Sequence, residues 1–162
     1  MLNTDYIEEL VESYGDTVLR IAYTYLKSMS DAEDAVQDVF LHIIGKTPEF
    51  KDKEHEKAWI IRVTINICKN KLRLFWNRNK CSIDEIAEAP VYDKYNTDSE
   101  VLKAVMSLPD KYRIAVYMYY YEEYTTPEIA RITDRTETAV RSDLHRARGK
   151  LKEILKEEYD FE

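Results

Sequence analysis

Apolar residues recur at the three- and four-residue spacing of an α-helix in two separate parts of the chain. Between them, residues 81–97 contain Pro90 and several acids and show no sustained helical face. A chain of 162 residues is long enough for one ordinary domain or two small ones. We therefore expect an all-α protein with two small helical domains, residues 1–80 and 98–162, joined by an acidic linker at 81–97.

The net charge of −7 is unevenly distributed along the chain. Residues 81–100 alone contribute −5, whereas residues 57–80 contain seven Lys or Arg and no acid. Residues 131–152 contain seven basic residues and three acids. Because a partner meets a local surface and not the sum of all charges, the acidic average does not exclude a nucleic-acid partner.

Several other classes of protein find no support in the sequence. No apolar run approaches the roughly 20 residues of a membrane-spanning helix, and the acidic start lacks the layout of a secretion signal. Two cysteines cannot form a disulfide framework, which favours a cytoplasmic protein. The three histidines lie far apart, and there is no glycine-rich phosphate loop or zinc-type cysteine pair. We expect neither catalysis nor a metal or other cofactor, and Cys68 is predicted to be a buried small hydrophobe.

The second helix of the first domain presents a mixed polar face. Ser30 is its predicted N-cap, and Gly45 and Pro48 end it. Its apolar face is predicted to hold Ala32, Ala35, Val36, Val39, Phe40, Ile43 and Ile44. The opposite face carries Asp34, Gln37, Asp38 and Leu41. An apolar residue on an otherwise hydrophilic stripe marks a candidate partner site.

The segment from Ala58 to Arg73 fits two secondary structures. Its β-branched residues alternate with polar ones, as in a strand. A helix would instead turn Ile61, Ile65, Cys68, Leu72 and Phe75 inward, and the length of the segment without turn residues favours it. On a helix, a polar stripe would bring together Arg62, Asn66, Lys69 and Arg73, with Asn70 beside it. Cations bind phosphates, amides bind base edges, and aromatic residues such as Trp59 support unstacked bases.

The second domain is predicted to contain a helix-turn-helix. Pro109 suits the first turn of one helix, and residues 125–128 form a T-x-x-E capping box that opens a short second helix. That helix ends at residues 133–135, and Thr136 caps a longer basic helix. The longer helix of such a layout can enter the DNA major groove, and the alternative is a basic face exposed to solvent. Its outward face carries Thr138, Arg141, Ser142, His145 and Arg148.

Three ordered motifs resemble the extracytoplasmic-function sigma factors, the small two-domain class of bacterial RNA polymerase specificity subunits. DAEDAVQDVF at 31–40 is similar to the family's D-A-E-D-x-x-Q-x-x-F helix. AWIIRVTINICKNKLR at 58–73 is similar to its W-x-x-R-x-x-x-N…L-R stretch. Residues 108–130 and 138–151 resemble its second domain. The resemblance covers nearly the whole chain outside the linker, and it favours the helix over the strand at 58–73.

The resemblance implies a non-enzymatic initiation factor that acts as a monomer when free. Its implied partners are core RNA polymerase (the clamp of the β′ subunit and the β flap), promoter DNA and an anti-sigma factor. The residues that would meet the clamp are Asp34, Gln37, Asp38 and Leu41. Those that would contact the −10 strand are Trp59, Arg62, Asn66, Lys69, Asn70 and Arg73. Those that would face the −35 duplex are Thr138, Arg141, Ser142, His145 and Arg148.

The second domain departs from the family pattern at several positions. Glu123 stands where relatives commonly have Gly, and Thr133-Asp134-Arg135 replaces a usual Leu-Gly-Ile turn. Thr138 replaces a common Gly, and Asp143 places an acid where a cation is frequent. Asp tolerates left-handed backbone better than most residues, so we expect Asp134 to make the turn. We also expect this domain to be less stable or to bind DNA weakly.

Without the resemblance, the residues allow two other functions. A free-standing helix-turn-helix regulator would never bind polymerase and would act as a dimer on a palindromic site. A degenerate helical interaction protein would have lost DNA binding, which the altered turn allows. Binding to core polymerase separates the sigma factor from both.

Overall fold

The computed structural model describes residues 4–46, 49–78 and 100–159 of the chain. Every regular element in these ranges is a helix. The chain divides into two compact units, Met1–Pro90 and Val91–Glu162. The predicted all-α class with two small helical domains is thereby confirmed. The predicted linker, 81–97, lies outside the described residues, as does Cys81, and the predicted domain boundaries stay a prediction.

In the described part of the first unit, residues 4–46 and 49–78, three helices pack on one another. They are α1 (Thr4–Leu26), α2 (Met29–Ile44) and α3 (Lys53–Arg78). Asp52 caps α3, since its Oδ1 accepts the His55 N–H at 2.8 Å. The segment that was ambiguous between strand and helix therefore lies inside a long helix.

The buried face of α3 matches the helix prediction over its first five turns. Ile61, Ile65 and Cys68 are fully buried, and Leu72 is half-buried. Burial raises the pKa of the Cys68 thiol to about 12, so this side chain packs as a neutral small hydrophobe, as predicted. Phe75 was expected inward but is exposed, because α3 continues beyond the part of the bundle that buries Cys68.

The structure corrects two details of α2. The N-cap is Ser28 and not Ser30: its backbone is extended, and its Oγ accepts the Asp31 N–H at 3.2 Å. Ser28 and Ser30 are both followed by acids, so the composition of the first turn did not distinguish them. Ile44 was placed on the apolar face but is exposed in the last turn of the helix.

A buried carboxylate joins α1 to α3. Glu56 is 5% exposed and accepts hydrogen bonds from the hydroxyls of Tyr6 at 2.7 Å and Tyr14 at 2.9 Å. Burial by itself raises the pKa of Glu56, but the two tyrosine hydrogen bonds and the nearby Lys53 ammonium lower it overall. Burial and the hydrogen bond to Glu56 in turn raise the pKa of Tyr6 to about 12. The ionised carboxylate is therefore the form that holds these helices together.

Residues 100–159 of the second unit form four α-helices, and the last two of them make a helix-turn-helix. They are α4 (Glu100–Met106), α5 (Asp110–Val116), α6 (Thr126–Thr133) and α7 (Glu137–Tyr159), and α5 continues as a π-helix over Tyr117–Tyr121. The α7 helix packs against α4, α5 and α6. Pro109 is the N-cap of α5, the predicted capping box opens α6, and the Thr136 Oγ1 accepts the Ala139 N–H at 3.1 Å.

The unusual turn between α6 and α7 is held by polar contacts. Asp134 adopts left-handed backbone (φ 57°, ψ 48°), as expected of the residue that makes the turn. Arg135 pairs with the carboxylate of Asp143, which is 2% exposed. Asp143 stands where the family pattern frequently has a cation. It is buried, and this ion pair links the turn to α7.

We expect Glu56→Gln to destabilise the first unit. The amide nitrogen of Gln cannot accept a tyrosine hydroxyl, so one of the two hydrogen bonds is lost, at about 1–3 kcal/mol. The readout is urea unfolding followed by tryptophan fluorescence, because both tryptophans lie in this unit. The exposed neighbour provides the control, and Glu54→Gln should leave the midpoint within experimental error. An equal effect of both variants would contradict the proposed role of the carboxylate.

The lowered pKa of Glu56 also predicts a pH dependence. Since the folded pKa lies below the ordinary value of 4.5, the ionised carboxylate stabilises the fold above that pH. This stabilisation is lost as the pH falls below about 4.5 and through the folded pKa. The free energy of unfolding of the first unit should therefore fall less steeply in this range for Glu56→Gln than for wild type. Parallel curves would refute the linkage.

We expect Asp143→Ala to loosen the helix-turn-helix. Removing one partner of a fully buried ion pair costs about 3–5 kcal/mol. Because the side chain of Arg135 is partly exposed, we expect Asp143→Ala to lower the stability of the second unit by a smaller amount, about 2 kcal/mol. Hydrogen exchange of α6 and α7, measured by mass spectrometry, should accelerate. Glu153→Ala, at an exposed position of α7, is the matched control and should leave the exchange unchanged.

Candidate nucleic-acid interface

The polar stripe predicted on α3 is exposed along its whole length. Arg62, Asn66, Lys69, Asn70 and Arg73 all lie on the solvent side of the helix. The Arg73 guanidinium donates a hydrogen bond to the side-chain Oδ1 of Asn70, which fixes the two side chains relative to each other. No acid occurs between residues 57 and 80. The stripe therefore combines cations for phosphates with amides for base edges.

Trp59 stands apart from the other residues predicted to contact the −10 strand. It is half-buried and packs against the apolar core that contains Leu10, Val39 and Phe40. Its ring also contacts Phe50, with ring centroids 5.6 Å apart. Only part of the indole is therefore left for a ligand, and Trp59 contributes to the packing of the first unit.

The four residues predicted to contact polymerase form one exposed face of α2. Asp34, Gln37 and Asp38 are exposed and precede Leu41 on the same face, and the Leu41 side chain is 66% exposed. Asp38 pairs with Lys71 of α3 at 2.6 Å. The structure thus brings the predicted polymerase-binding helix and the predicted −10 helix side by side.

Ile44 was missed as a surface residue by the sequence prediction. It follows Leu41 by three residues and is 46% exposed, so it extends the apolar part of the α2 face. Its distance from Gln37 is seven residues, which is the spacing of a single helical stripe. That spacing is the signal in the sequence that could have assigned it to this face.

The predicted DNA-reading face of α7 is also presented to solvent. Thr138, Arg141, His145 and Arg148 are exposed, and Ser142 is half-buried. Arg141 pairs with Glu137, one turn earlier on the same helix, at 2.8 Å. This face lies on the other unit from the α2 and α3 faces.

Arg148 makes contacts that the sequence prediction did not include. Its Nε donates to the Tyr120 hydroxyl at 2.6 Å. Its guanidinium also lies 5.4 Å from the ring centroid of Tyr119 and 5.6 Å from that of Tyr120. The tyrosine run at 117–121 is visible in the sequence, but the π-helix that turns two of its rings toward α7 is not. Arg148 is therefore held at one end of the α7 face.

Two further findings concern the described ranges 4–46, 49–78 and 100–159. None of their helices is long and apolar enough to cross a membrane. Within the same ranges, no group of three or more His, Cys, Asp or Glu side chains is arranged to hold a metal ion.

The sequence matches two family models, one in each unit. Residues 10–76 match sigma-70 region 2, and residues 98–151 match sigma-70 region 4. The first match contains the α2 and α3 faces, and the second contains the helix-turn-helix.

Curated relatives align with this chain across both units. The chain is 27% identical over 160 residues to the ECF RNA polymerase sigma factor SigE of Mycolicibacterium smegmatis, covering 91% of this chain and 61% of that protein. The chain thus spans less than two thirds of the length of that relative. It is 20% identical over 169 residues to SigW of Bacillus subtilis, covering 94% of this chain and 90% of that protein. It is 29% identical over 154 residues to the RNA polymerase sigma-E factor of Streptomyces coelicolor, covering 91% of this chain and 85% of that protein.

Solved structures share the fold. The sigma factor RpoE in complex with the anti-sigma factor NepR from Bartonella quintana superposes with a TM-score of 0.74 at 22% identity, covering 95% of this chain and 98% of that one. CnrH in complex with the cytosolic domain of CnrY gives a TM-score of 0.65 at 21% identity, covering 95% of this chain and 90% of that one. With both family regions matched in order, the chain belongs to the sigma-70 family of RNA polymerase sigma factors, in its extracytoplasmic-function group.

Proposed function

We propose that this protein is a non-enzymatic initiation factor that directs core RNA polymerase to specific promoters. The observation that supports it best is that each predicted set of contacts lies mainly on one exposed helix face: α2 for polymerase, α3 for the −10 element and α7 for the −35 element. A free-standing regulator would need the helix-turn-helix alone, whereas this chain also carries the region 2 unit.

In the proposed mechanism, the first unit binds polymerase and captures the opened strand. The α2 face offers an exposed apolar side chain, Leu41, next to polar ones, which suits a protein interface with a small apolar centre. Arg62, Lys69 and Arg73 neutralise the phosphates of the −10 strand, while Asn66 and Asn70 hydrogen-bond to bases. Unstacking a base costs a few kcal/mol, which these contacts offset.

The second unit reads the −35 duplex in this mechanism. The N-terminal half of α7 enters the major groove, where Arg141 donates to guanine edges. The Arg141–Glu137 pair is exposed and contributes about 0–1 kcal/mol, so DNA displaces it at little cost. Sequence specificity at −35 thus rests on the exposed α7 face.

The proposal also concerns regulation and location. Two structural neighbours are bound to an anti-sigma factor or to a cytosolic domain of another protein, and we infer that an anti-sigma partner masks the basic faces of this chain. Exposed basic helices bind DNA non-specifically through phosphates, which makes such masking useful. We further propose that the free chain is a monomer and that it acts in the bacterial cytoplasm.

The direct test is run-off transcription with purified core polymerase on promoters selected from a random library. We expect transcripts only when both the chain and core enzyme are present. A free-standing regulator would bind its selected sites without core enzyme and would yield no transcript. A chain that neither binds core polymerase nor selects any DNA would be a degenerate interaction protein.

We expect Leu41→Ala to weaken binding to core polymerase about tenfold, because truncating a central apolar contact typically costs 1–2 kcal/mol or more. The measurement is a fluorescence titration of labelled protein with core enzyme. Val11 is an exposed apolar side chain on α1, outside the α2 face, so Val11→Ala should bind like wild type. Equal losses for both variants would contradict the assignment of the α2 face.

We expect Arg141→Ala to weaken binding of the holoenzyme to promoter DNA by about 5- to 150-fold, because one base-reading arginine contributes about 1–3 kcal/mol. The loss should vanish when the −35 sequence is scrambled. Arg146 is an exposed arginine of α7 outside the predicted face, and Arg146→Ala makes the same change of charge. If Arg146→Ala had the larger and sequence-dependent effect, the orientation proposed for α7 would be wrong.

A further inference from the structure

Two tyrosine rings and one arginine of the second unit form an exposed cluster of Tyr119, Tyr120 and Arg148. The two rings meet edge to face, with centroids 4.9 Å apart. The Arg148 guanidinium lies 5.4 Å from the first centroid and 5.6 Å from the second, and its Nε donates to the Tyr120 hydroxyl at 2.6 Å. Tyr120 is 56% exposed, and Arg148 is exposed as well. A surface arginine is thus held by three contacts that leave it accessible to a ligand.

The π-helix at Tyr117–Tyr121 brings both rings to the guanidinium. Its hydrogen bonds join residues five positions apart, and the Glu122 N–H donates to the Tyr117 carbonyl oxygen at 3.2 Å. Such a turn holds more residues than an α-helical turn, so neighbouring side chains diverge less. Tyr119 and Tyr120 therefore contact one guanidinium although they are adjacent in the sequence. Single turns of π-helix occur frequently at functional sites.

Arg148 lies at the end of the α7 face that is further from the bases in the proposed complex. It follows Arg141 by seven residues, which places it about 10 Å further along the helix axis. The N-terminal half of α7 enters the major groove, which is about 8.5 Å deep. A side chain at the position of Arg148 then lies beside the phosphates at the edge of the groove.

The charge around Arg148 suits a phosphate. Residues 144–152 contain no acid and four Lys or Arg, which are Arg146, Arg148, Lys150 and Lys152, so this part of α7 attracts a DNA backbone. An arginine has five N–H donors, and the hydrogen bond to Tyr120 uses the one on Nε. That bond leaves the four donors on the two terminal nitrogens, a planar fork whose geometry matches two oxygens of one phosphate.

Holding the arginine in place before DNA binds has an energetic consequence. A mobile arginine side chain loses rotamer freedom when it binds a ligand. The two tyrosines restrict the side chain in advance, so less freedom is lost when the phosphate is bound. We propose that Tyr120, packed against Tyr119, is a positioning residue that orients Arg148 toward a backbone phosphate at the edge of the −35 element. This inference rests on the proposed function and adds to it a contact that does not depend on base sequence.

The test uses the full chain bound to core polymerase, with a duplex promoter selected by that holoenzyme. The variants are Tyr120→Phe, which removes only the hydroxyl, Arg148→Ala, and the two combined. Tyr121→Phe is the matched control, because Tyr121 is similarly exposed (57%) but its ring stacks on that of Tyr117. Hydrogen exchange of each free variant checks that the second unit is folded, and a titration checks that core enzyme is still bound.

We expect Tyr120→Phe to weaken promoter binding about threefold, the size of one modest hydrogen bond, and Tyr121→Phe to bind like wild type. Arg148→Ala should weaken binding further, equally on every −35 sequence, and should lower the slope of the salt dependence by about one, as one lost phosphate contact does. In the Arg148→Ala background, Tyr120→Phe should have no further effect. Replacing single phosphates with neutral methylphosphonates should identify one position at which wild type and both single variants bind equally.

Other outcomes would overturn the inference. Additive losses from Tyr120→Phe and Arg148→Ala would show that the hydroxyl does not act through the guanidinium, and wild-type affinity of Tyr120→Phe would exclude a positioning role for it. A loss from Arg148→Ala that depends on one −35 base would indicate base reading in place of a phosphate contact. Weaker binding of core enzyme with unchanged DNA affinity would indicate that the cluster contacts polymerase. Failure of the wild-type holoenzyme to bind any promoter would instead contradict the proposed function itself.

Discussion

The packing of α3 against α1 and α2 is the constraint on which the first unit depends. One side of α3 buries Ile61, Ile65 and Cys68, and this fixes which side faces the solvent. A helix has only one opposite face, so the cations and amides at four- and three-residue spacing are exposed together. The buried Glu56 carboxylate strengthens the same packing through two tyrosines of α1. The core therefore determines which side of α3 forms the proposed nucleic-acid face. A rotation of α3 about its axis would change the buried side and the exposed side together.

In the second unit a polar contact replaces an apolar one without loss of the fold. The turn lacks the apolar residues of the family pattern, yet Asp134 adopts left-handed backbone and Arg135 pairs with the buried Asp143. A buried ion pair gains little net stability over apolar packing, because removing two charges from water is costly. It does favour one arrangement of the helices, since a misaligned turn would leave a buried carboxylate unpaired. The substitutions at 134, 135 and 143 are therefore best understood as one set.

Much of this fold and of the candidate site was predictable from local sequence, and the misses share a physical cause. Features set by residues a few positions apart were predictable. They include the capping box at Thr125, the helical period of α3 and the exposed helix faces. Asp143 could not be placed, because its partner lies eight residues away across a turn. The exposure of Phe75 depends on where the bundle ends, which periodicity does not contain. Ser28 and Ser30 offered equivalent caps, and only the backbone of the preceding connection decides between them.

Burial separates the polar residues that hold the fold from those that are free to bind partners. Asp38 pairs with Lys71, and Arg141 pairs with Glu137. In both pairs the cation and the carboxylate are at least partly exposed. Such surface pairs contribute about 0–1 kcal/mol, less than a single good contact to DNA or to a protein partner. A partner can therefore exchange these contacts for its own with a net gain. The buried carboxylate of Asp143 is different, because breaking its ion pair would strand a charge inside the unit. The same residue types thus serve two purposes, and their depth in the fold decides which.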